Sequence, residues 1–81
     1  MTAQHDAIIS FFQDQLNLDA GTYADDELLF STGRLDSFGL LAMVVFVEQT
    51  IGRRLRNAEL TLHNFDSVQR IEGFFAANGV A

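Results

Sequence analysis

Residues 36–52 read DSFGLLAMVVFVEQTIG and predict a helix that is apolar on nearly all sides. Five of the apolar residues recur at the i, i+3, i+4, i+7 and i+11 spacing of one buried face: Leu40, Met43, Val44, Val47 and Ile51. Asp36 or Ser37 can cap its start, because either side chain can accept a hydrogen bond from a free backbone N–H group. Gly52 suits its end, since glycine adopts the left-handed conformation without steric penalty. The stretch therefore predicts a central helix over Ser37–Ile51.

A second apolar face lies on the opposite side of this helix. Phe38, Leu41, Ala42 and Val45 follow the i, i+3, i+4, i+7 spacing as well. A chain of 81 residues cannot easily bury both faces. We therefore expect Phe38, Leu41 and Val45 to form an exposed apolar docking patch. The alternative is that the preceding segment folds over part of this face.

The residues before the central helix predict another helix and a long connection. The apolar residues of segment 2–16 recur at helical spacing: Ile8, Ile9, Phe12 and Leu16. Residues 17–36 show no sustained period and are rich in turn-forming residues. Within them, Leu28, Leu29 and Phe30 are expected to hold the connection against the core. A connection of about twenty residues is unusual in a compact domain and indicates a functional segment.

The residues after the central helix predict one brief helical turn and a last helix. The turn is expected within residues 57–65, starting at Thr61, and the last helix is expected to begin at Asp66. Asp66 and Gln69 have the spacing of a capping box. No strand pattern occurs. The predicted fold is therefore all-α, a single domain of residues 1–81 built as a small four-helix bundle, with three main helices, one short helix and a long loop between helices 1 and 2.

Composition excludes several classes of function. The net charge is −6, from eleven carboxylates against five arginines and no lysine, which argues against nucleic acid and anionic membrane partners. The longest apolar run, residues 40–47, is too short to span a bilayer, and residues 1–14 lack the features of a signal peptide. Without cysteine, and with only the isolated His5 and His63, no metal site is expected. We expect a cytoplasmic monomer.

Ser37 has two interpretations when only its neighbours are considered. Asp36-Ser37 precedes an apolar run, as at any capped helix start, and Asp66-Ser67 repeats the arrangement. A phosphate ester on Ser37 would also be favoured by the positive end of the helix dipole. A serine at the end of a loop would be accessible to a modifying enzyme. Ser37 is therefore either a helix cap or a modification site.

The pattern around Ser37 extends beyond what a helix cap requires. Residues 29–41, LFSTGRLDSFGLL, contain an apolar pair, a glycine, and Asp-Ser followed by an apolar residue. Further elements follow downstream: Glu48, Ile51-Gly52, and residues 60–68, LTLHNFDSV. This series resembles the acyl and peptidyl carrier proteins over about residues 8–75, in the same order and at the same separations.

The resemblance implies a function for Ser37. It matches the serine that receives 4'-phosphopantetheine from coenzyme A through a phosphopantetheinyl transferase, whereas Ser67 matches a structural helix start. The thiol of the arm would hold an acyl or aminoacyl group as a thioester, loaded by a ligase and used by a downstream synthase or transferase. The carrier itself would have no catalytic residues and would not be an enzyme.

The chain departs from fatty-acid carriers in the charge of the central helix. Those carriers usually have several carboxylates there, whereas this helix has only Glu48, with Asp36 just before it. The expected partner-binding residues are Asp36, Phe38, Leu41, Ala42, Val45 and Glu48. Such a surface is more similar to carriers of specialised metabolism or of aminoacyl groups. Arg53, Arg54 and Arg56 form either a solvated turn or a contact for an acidic partner.

Two other functions fit parts of the pattern. Asp36, Ser37 and His63 are the residue types of a hydrolase triad, but adjacent Asp and Ser cannot place a histidine between them. No strand precedes the serine, as the G-x-S-x-G motif would require. A small helical interaction module with an unmodified Ser37 would explain the apolar patch and the acidic charge, but not the pattern at residues 29–41.

Overall fold

The computed structural model describes residues 3–80, which form α-helices and no β-strand. The elements in chain order are α1 (Ala3–Leu16), α2 (Ser37–Ile51), a 3₁₀ turn (Asn57–Glu59), α3 (Leu62–Phe65) and α4 (Val68–Ala77). The predicted all-α fold with four helices, three of them long, is confirmed. Residue 2, where the first helix was predicted to begin, lies outside the described residues. Within residues 3–80 no helix is both long enough and apolar enough to cross a membrane.

One apolar core joins all the helices. Its fully buried side chains are Ile8 and Phe12 from α1, Leu29 from the connection, Met43 and Val47 from α2, Phe65 from α3, and Val68, Ile71 and Phe75 from α4. Each such side chain contributes about 1.5–3 kcal/mol relative to an exposed position. Beside this core, the rings of Phe11 and Phe46 stack at 4.5 Å and join α1 to α2. Of the residues predicted on the buried face of α2, Met43 and Val47 are fully buried, Leu40 and Ile51 pack half-buried against the core, and Val44 is half-buried outside it.

The ends of α2 follow from two capping residues. The carboxylate of Asp36 accepts a hydrogen bond from the N–H of Gly39 at 2.9 Å, so Asp36 is the N-cap. Ser37 is consequently the first residue of the helix and does not cap it. At the other end Gly52 has a φ of 76°, and its N–H donates to the carbonyl of Glu48 at 2.9 Å. The predicted end of the helix is confirmed.

The start of α4 differs from the prediction. Ser67 is the N-cap, because its Oγ accepts a hydrogen bond from the N–H of Arg70 at 3.2 Å. The helix therefore begins at Val68, and the predicted capping box of Asp66 and Gln69 is wrong. The carboxylate of Asp66 makes other hydrogen bonds, described below.

Residues 17–36 run from α1 to α2 as a series of turns and bends. Leu29 and Leu35 are buried in the core, and Phe30 packs against it half-buried. Leu28, expected to join them, is 37% exposed. The segment is therefore held against the core on both sides of its last turn, immediately before Ser37.

Candidate functional site

Ser37 lies at the junction of the connection and α2, with its side chain exposed. Among residues 3–80, no group forms a hydrogen bond with its hydroxyl. As the first residue of a 15-residue helix, Ser37 lies at the positive end of the helix dipole, where the first N–H groups lack helical partners. The hydroxyl is thus open to an enzyme, and a phosphate attached to it would be electrostatically favoured.

The two Asp-Ser pairs have opposite arrangements. In the first pair Asp36 caps the helix and Ser37 is exposed. In the second pair Ser67 caps the helix and is 1% exposed, while Asp66 is 3% exposed. Modification of Ser67 would break its capping hydrogen bond and displace packed neighbours. The same dipeptide therefore gives one accessible hydroxyl and one inaccessible hydroxyl, because the helices begin at different residues of the pair.

Asp66 holds the segment that leads to Ser37. Its Oδ1 accepts hydrogen bonds from three consecutive N–H groups: Leu29 at 3.1 Å, Phe30 at 2.7 Å and Ser31 at 3.0 Å. Burial raises the pKa of the Asp66 carboxyl, but hydrogen bonds from the Ser31 hydroxyl and from these N–H groups outweigh it, so the pKa lies below its usual range. We call this arrangement the Asp66 clamp. The sequence gives no separate signal for this clamp, because Asp66-Ser67 before an apolar run is also the pattern of an ordinary helix cap.

Further contacts define the backbone just before Ser37. The N–H of Leu35 donates to the carbonyl of Leu29 at 2.8 Å, which closes the loop between them. Gly33 has a φ of 79°, a conformation that favours glycine, and its N–H donates to the carbonyl three residues earlier at 3.1 Å. Arg34 forms an ion pair with Glu27 at 2.6 Å. These hydrogen bonds and this ion pair therefore fix the backbone that leads into Ser37.

An exposed apolar surface begins next to Ser37. Phe38 is 78% exposed, Leu41 64% and Val45 52%, and Ala42 beside them is half-buried. Residues 17–36 therefore leave these three large side chains exposed, and a docking role for them stays a prediction. We call Phe38, Leu41 and Val45 the apolar patch. Large apolar side chains exposed together are typical of interaction surfaces.

The two carboxylates expected beside the patch differ in their surroundings. Asp36 is exposed directly next to Ser37, although one of its oxygens caps the helix. Glu48 is half-buried, and its Oε2 accepts a hydrogen bond from the N–H of Leu55 at 2.8 Å. It lies eleven residues after Ser37, about 16 Å along the helix. Glu48 therefore has a structural contact in the turn after α2, and only Asp36 is adjacent to Ser37.

A small apolar cavity of about 90 Å³ lies on another side of α2. It is lined by Leu40, Val44, Leu60, Thr61, Leu62 and Phe65. Leu60 and Leu62 at its rim are 47% and 40% exposed, and no pattern in the sequence predicts this. Pockets for drug-sized ligands have volumes of about 300–1,000 Å³. The cavity is therefore too small to enclose such a ligand.

The three arginines after α2 fall into two groups. Arg53 donates to both carboxylate oxygens of Glu59 at 2.9 and 2.8 Å, and to the side-chain oxygen of Asn78 at 2.6 Å. The hydrogen bonds from Arg53 lower the pKa of Glu59 to about 2. The side chains of Arg54 and Arg56 are exposed. The fold therefore accounts for Arg53, and Arg54 and Arg56 remain available to solvent or a partner.

The two histidines also differ. His63 is exposed on α3. His5 is 7% exposed, and its Nε2 lies 3.0 and 3.1 Å from the two carboxylate oxygens of Asp25. Glu72 from α4 belongs to the same cluster. His5 is isolated in the sequence, but the fold brings two carboxylates to it.

No family model, no curated protein and no solved structure matches this chain. The candidate site therefore consists of the exposed Ser37, the Asp66 clamp on residues 29–31 and the apolar patch that begins next to Ser37.

Proposed function

We propose that the protein is a carrier that holds acyl or aminoacyl intermediates as thioesters on a 4'-phosphopantetheine arm attached to Ser37. One observation carries the proposal. Ser37 is exposed at the start of a long helix, whereas the serine of the other Asp-Ser pair is buried. The sequence pattern at residues 29–41, which resembles the modified segment of carrier proteins, independently selects the same serine.

The attachment chemistry needs only the Ser37 hydroxyl from this chain. Its oxygen attacks the phosphorus of coenzyme A that bears the pantetheine, and the bond to 3',5'-ADP breaks. The hydroxyl proton passes to a base of the phosphopantetheinyl transferase, and 3',5'-ADP leaves. A phosphodiester at the start of α2 is stabilised by the helix dipole. The connection of residues 17–36, held by the Asp66 clamp, presents this position to the transferase.

The apolar patch supports contact with partner enzymes mainly through apolar burial. Burying each of Phe38, Leu41 and Val45 would contribute about 1.5–3 kcal/mol before the costs of association. Asp36 adds one negative charge next to the arm. The partners are a phosphopantetheinyl transferase, a loading ligase and a downstream synthase or transferase. The apolar character of the surface favours a carrier of specialised metabolism or of aminoacyl groups, working in the cytoplasm.

Intact-mass measurement tests the attachment site. The purified chain is incubated with coenzyme A and several broad-specificity transferases, alongside the Ser37→Ala and Ser67→Ala variants. Wild type and Ser67→Ala should gain one phosphopantetheine, and Ser37→Ala none. The alternative is a helical interaction module with an unmodified Ser37. The exposed apolar patch is the observation that supports it. Absence of any gain with all the transferases would support that module.

A charge placed on the patch tests its role in docking. Leu41→Glu should leave the helix content unchanged, because the Leu41 side chain is 64% exposed. We expect the kcat/KM of the transferase to fall about tenfold, which corresponds to about 1.4 kcal/mol of lost interaction. Gln13→Glu introduces the same charge on an exposed position of α1 and is the matched control. Equal kcat/KM values for Leu41→Glu and Gln13→Glu would show that the transferase does not contact the patch.

A further inference from the structure

Three side chains from three separate elements converge at one place that shares no residue with the Ser37 site. They are His5 from α1, Asp25 from the connection and Glu72 from α4, and one donor atom of each lies within 4.8 Å of the others. His5 is buried, Glu72 is half-buried and Asp25 is exposed. The cluster is thus open on one side and closed on the other.

The donor atoms are of the types that bind transition metals in proteins. An imidazole nitrogen with two carboxylates suits Zn²⁺, Mn²⁺ or Co²⁺. Bonds of about 2.0–2.2 Å to a tetrahedral ion place its donor atoms about 3.3–3.6 Å apart. The distances between donor atoms, which reach at most 4.8 Å, must therefore shorten by at most about 1.5 Å. Rotation of the exposed Asp25 and the half-buried Glu72 side chains can provide this.

The two ring nitrogens of His5 face different carboxylates. Nε2 faces Asp25, while Nδ1 lies 3.6 Å from Oδ1 of Asp6. In metal centres the imidazole nitrogen that does not bind the ion commonly faces a carboxylate, which orients the ring. Three carboxylates around one imidazole thus favour a cation at this place.

A cavity of about 420 Å³ opens beside the cluster. His5, Asp6, Tyr23 and Asp25 are among its lining residues. The hydroxyl of Tyr23 is buried there and has no hydrogen-bond partner within residues 3–80. Three protein ligands leave a coordination position for water, as in open zinc sites.

We infer that His5, Asp25 and Glu72 bind a divalent transition metal of the Zn²⁺ type, with water completing the coordination and Asp6 orienting the imidazole. The ion cross-links α1, the connection and α4. It binds the folded chain, whose unfolded form does not bring the three ligands together, so metal binding stabilises the fold. The site is independent of the arm on Ser37.

Calorimetric titration with Zn²⁺ tests this inference. The chain is first treated with chelator, and the titration is done at about pH 8, because protons compete with the metal for the imidazole. We expect one Zn²⁺ per chain and a Kd of about 10 µM or tighter. Glu72→Gln and His5→Gln should each weaken binding at least tenfold, which is about 1.4 kcal/mol. His63→Gln and Asp26→Asn are matched controls that should bind as wild type does.

A second measurement covers the case in which His5→Gln does not fold. Co²⁺ bound by wild type should give the visible absorption of a low-symmetry site, and Glu72→Gln should reduce it while far-UV circular dichroism stays unchanged. No Zn²⁺ binding at about 100 µM would overturn the inference. Equal affinity of wild type and Glu72→Gln would overturn it as well.

Discussion

Replacement of Asp66 by alanine should strongly destabilise the protein. Asp66 is 3% exposed, and one of its oxygens accepts three backbone hydrogen bonds. A hydrogen bond to a charged group contributes about 1.5–3 kcal/mol. An alanine would leave the N–H groups of Phe30 and Ser31 without an acceptor, whereas the N–H of Leu29 would keep its hydrogen bond to the backbone carbonyl of residue 66 at 2.8 Å. The three bonds share one oxygen and are not additive, so we expect a loss of about 3–5 kcal/mol for Asp66→Ala.

Asp66→Asn separates the charge from the geometry of the clamp. Its side-chain oxygen can still accept hydrogen bonds, but neutral hydrogen bonds are about half as strong, so the expected loss is about 1–2 kcal/mol. Urea unfolding followed by circular dichroism measures both losses as changes in the midpoint at constant m-value. Asp26→Asn, at an exposed neighbouring carboxylate, is the control and should stay within about 0.5 kcal/mol of wild type. A loss below about 1 kcal/mol for Asp66→Ala would show that the hydrogen bonds to the Asp66 carboxylate contribute little to stability.

The pH dependence gives an independent test of the Asp66 clamp. Hydrogen bonds to the ionised form keep the pKa of folded Asp66 below its unfolded value, despite burial. The stabilisation is therefore complete above the unfolded pKa, about 3.9, and is lost as the pH falls through the folded pKa. The difference in unfolding free energy between wild type and Asp66→Asn should shrink below about pH 4. A difference that widens on acidification would mean that the folded protein holds a neutral carboxyl.

Three further changes have defined expectations. Ser67→Ala should cost about 1 kcal/mol in urea unfolding through the lost cap, whereas Ser37→Ala should be nearly neutral; equal costs would contradict the different roles of the two serines. Gly52→Ala should cost about 1 kcal/mol, because alanine is strained at a φ of 76°, and thermal unfolding that shows no loss would argue against this helix end. Since Arg53 lowers the pKa of Glu59 to about 2, its ion pair should stabilise the fold above about pH 4.5 and progressively less down to pH 2. The unfolding midpoint of Glu59→Gln should therefore approach that of wild type as the pH falls from about 4.5 to 2. A difference between the two midpoints that stays constant over this range would show that the Arg53–Glu59 ion pair does not cause the pH dependence.

The helices and their inward faces follow from the sequence because they depend on neighbours. A side chain three or four residues away shares a helical face, so the repeats at Ile8 and Phe12, or at Met43 and Val47, identify the core directly. The end of α2 is equally local, since Gly52 alone supplies the left-handed residue. The exposure of the apolar patch is not local. The exposure of these side chains depends on whether residues 17–36 pack over α2, and the spacing of residues in the sequence does not predict this packing.

What the sequence by itself determined is the all-α fold, the central helix and the choice of Ser37 as a candidate attachment site. Only the tertiary structure decided which serine of the two Asp-Ser pairs is accessible, because that depends on what lies against each helix start. It also brought Asp66 to N–H groups up to 37 residues away and His5 to Asp25, 20 residues away. Such contacts have no signal in the local sequence, because the partners meet only when the chain folds and the core excludes water around them. The residues that flank Ser37 in the sequence select it as a candidate attachment site, whereas the fold determines whether its hydroxyl is accessible.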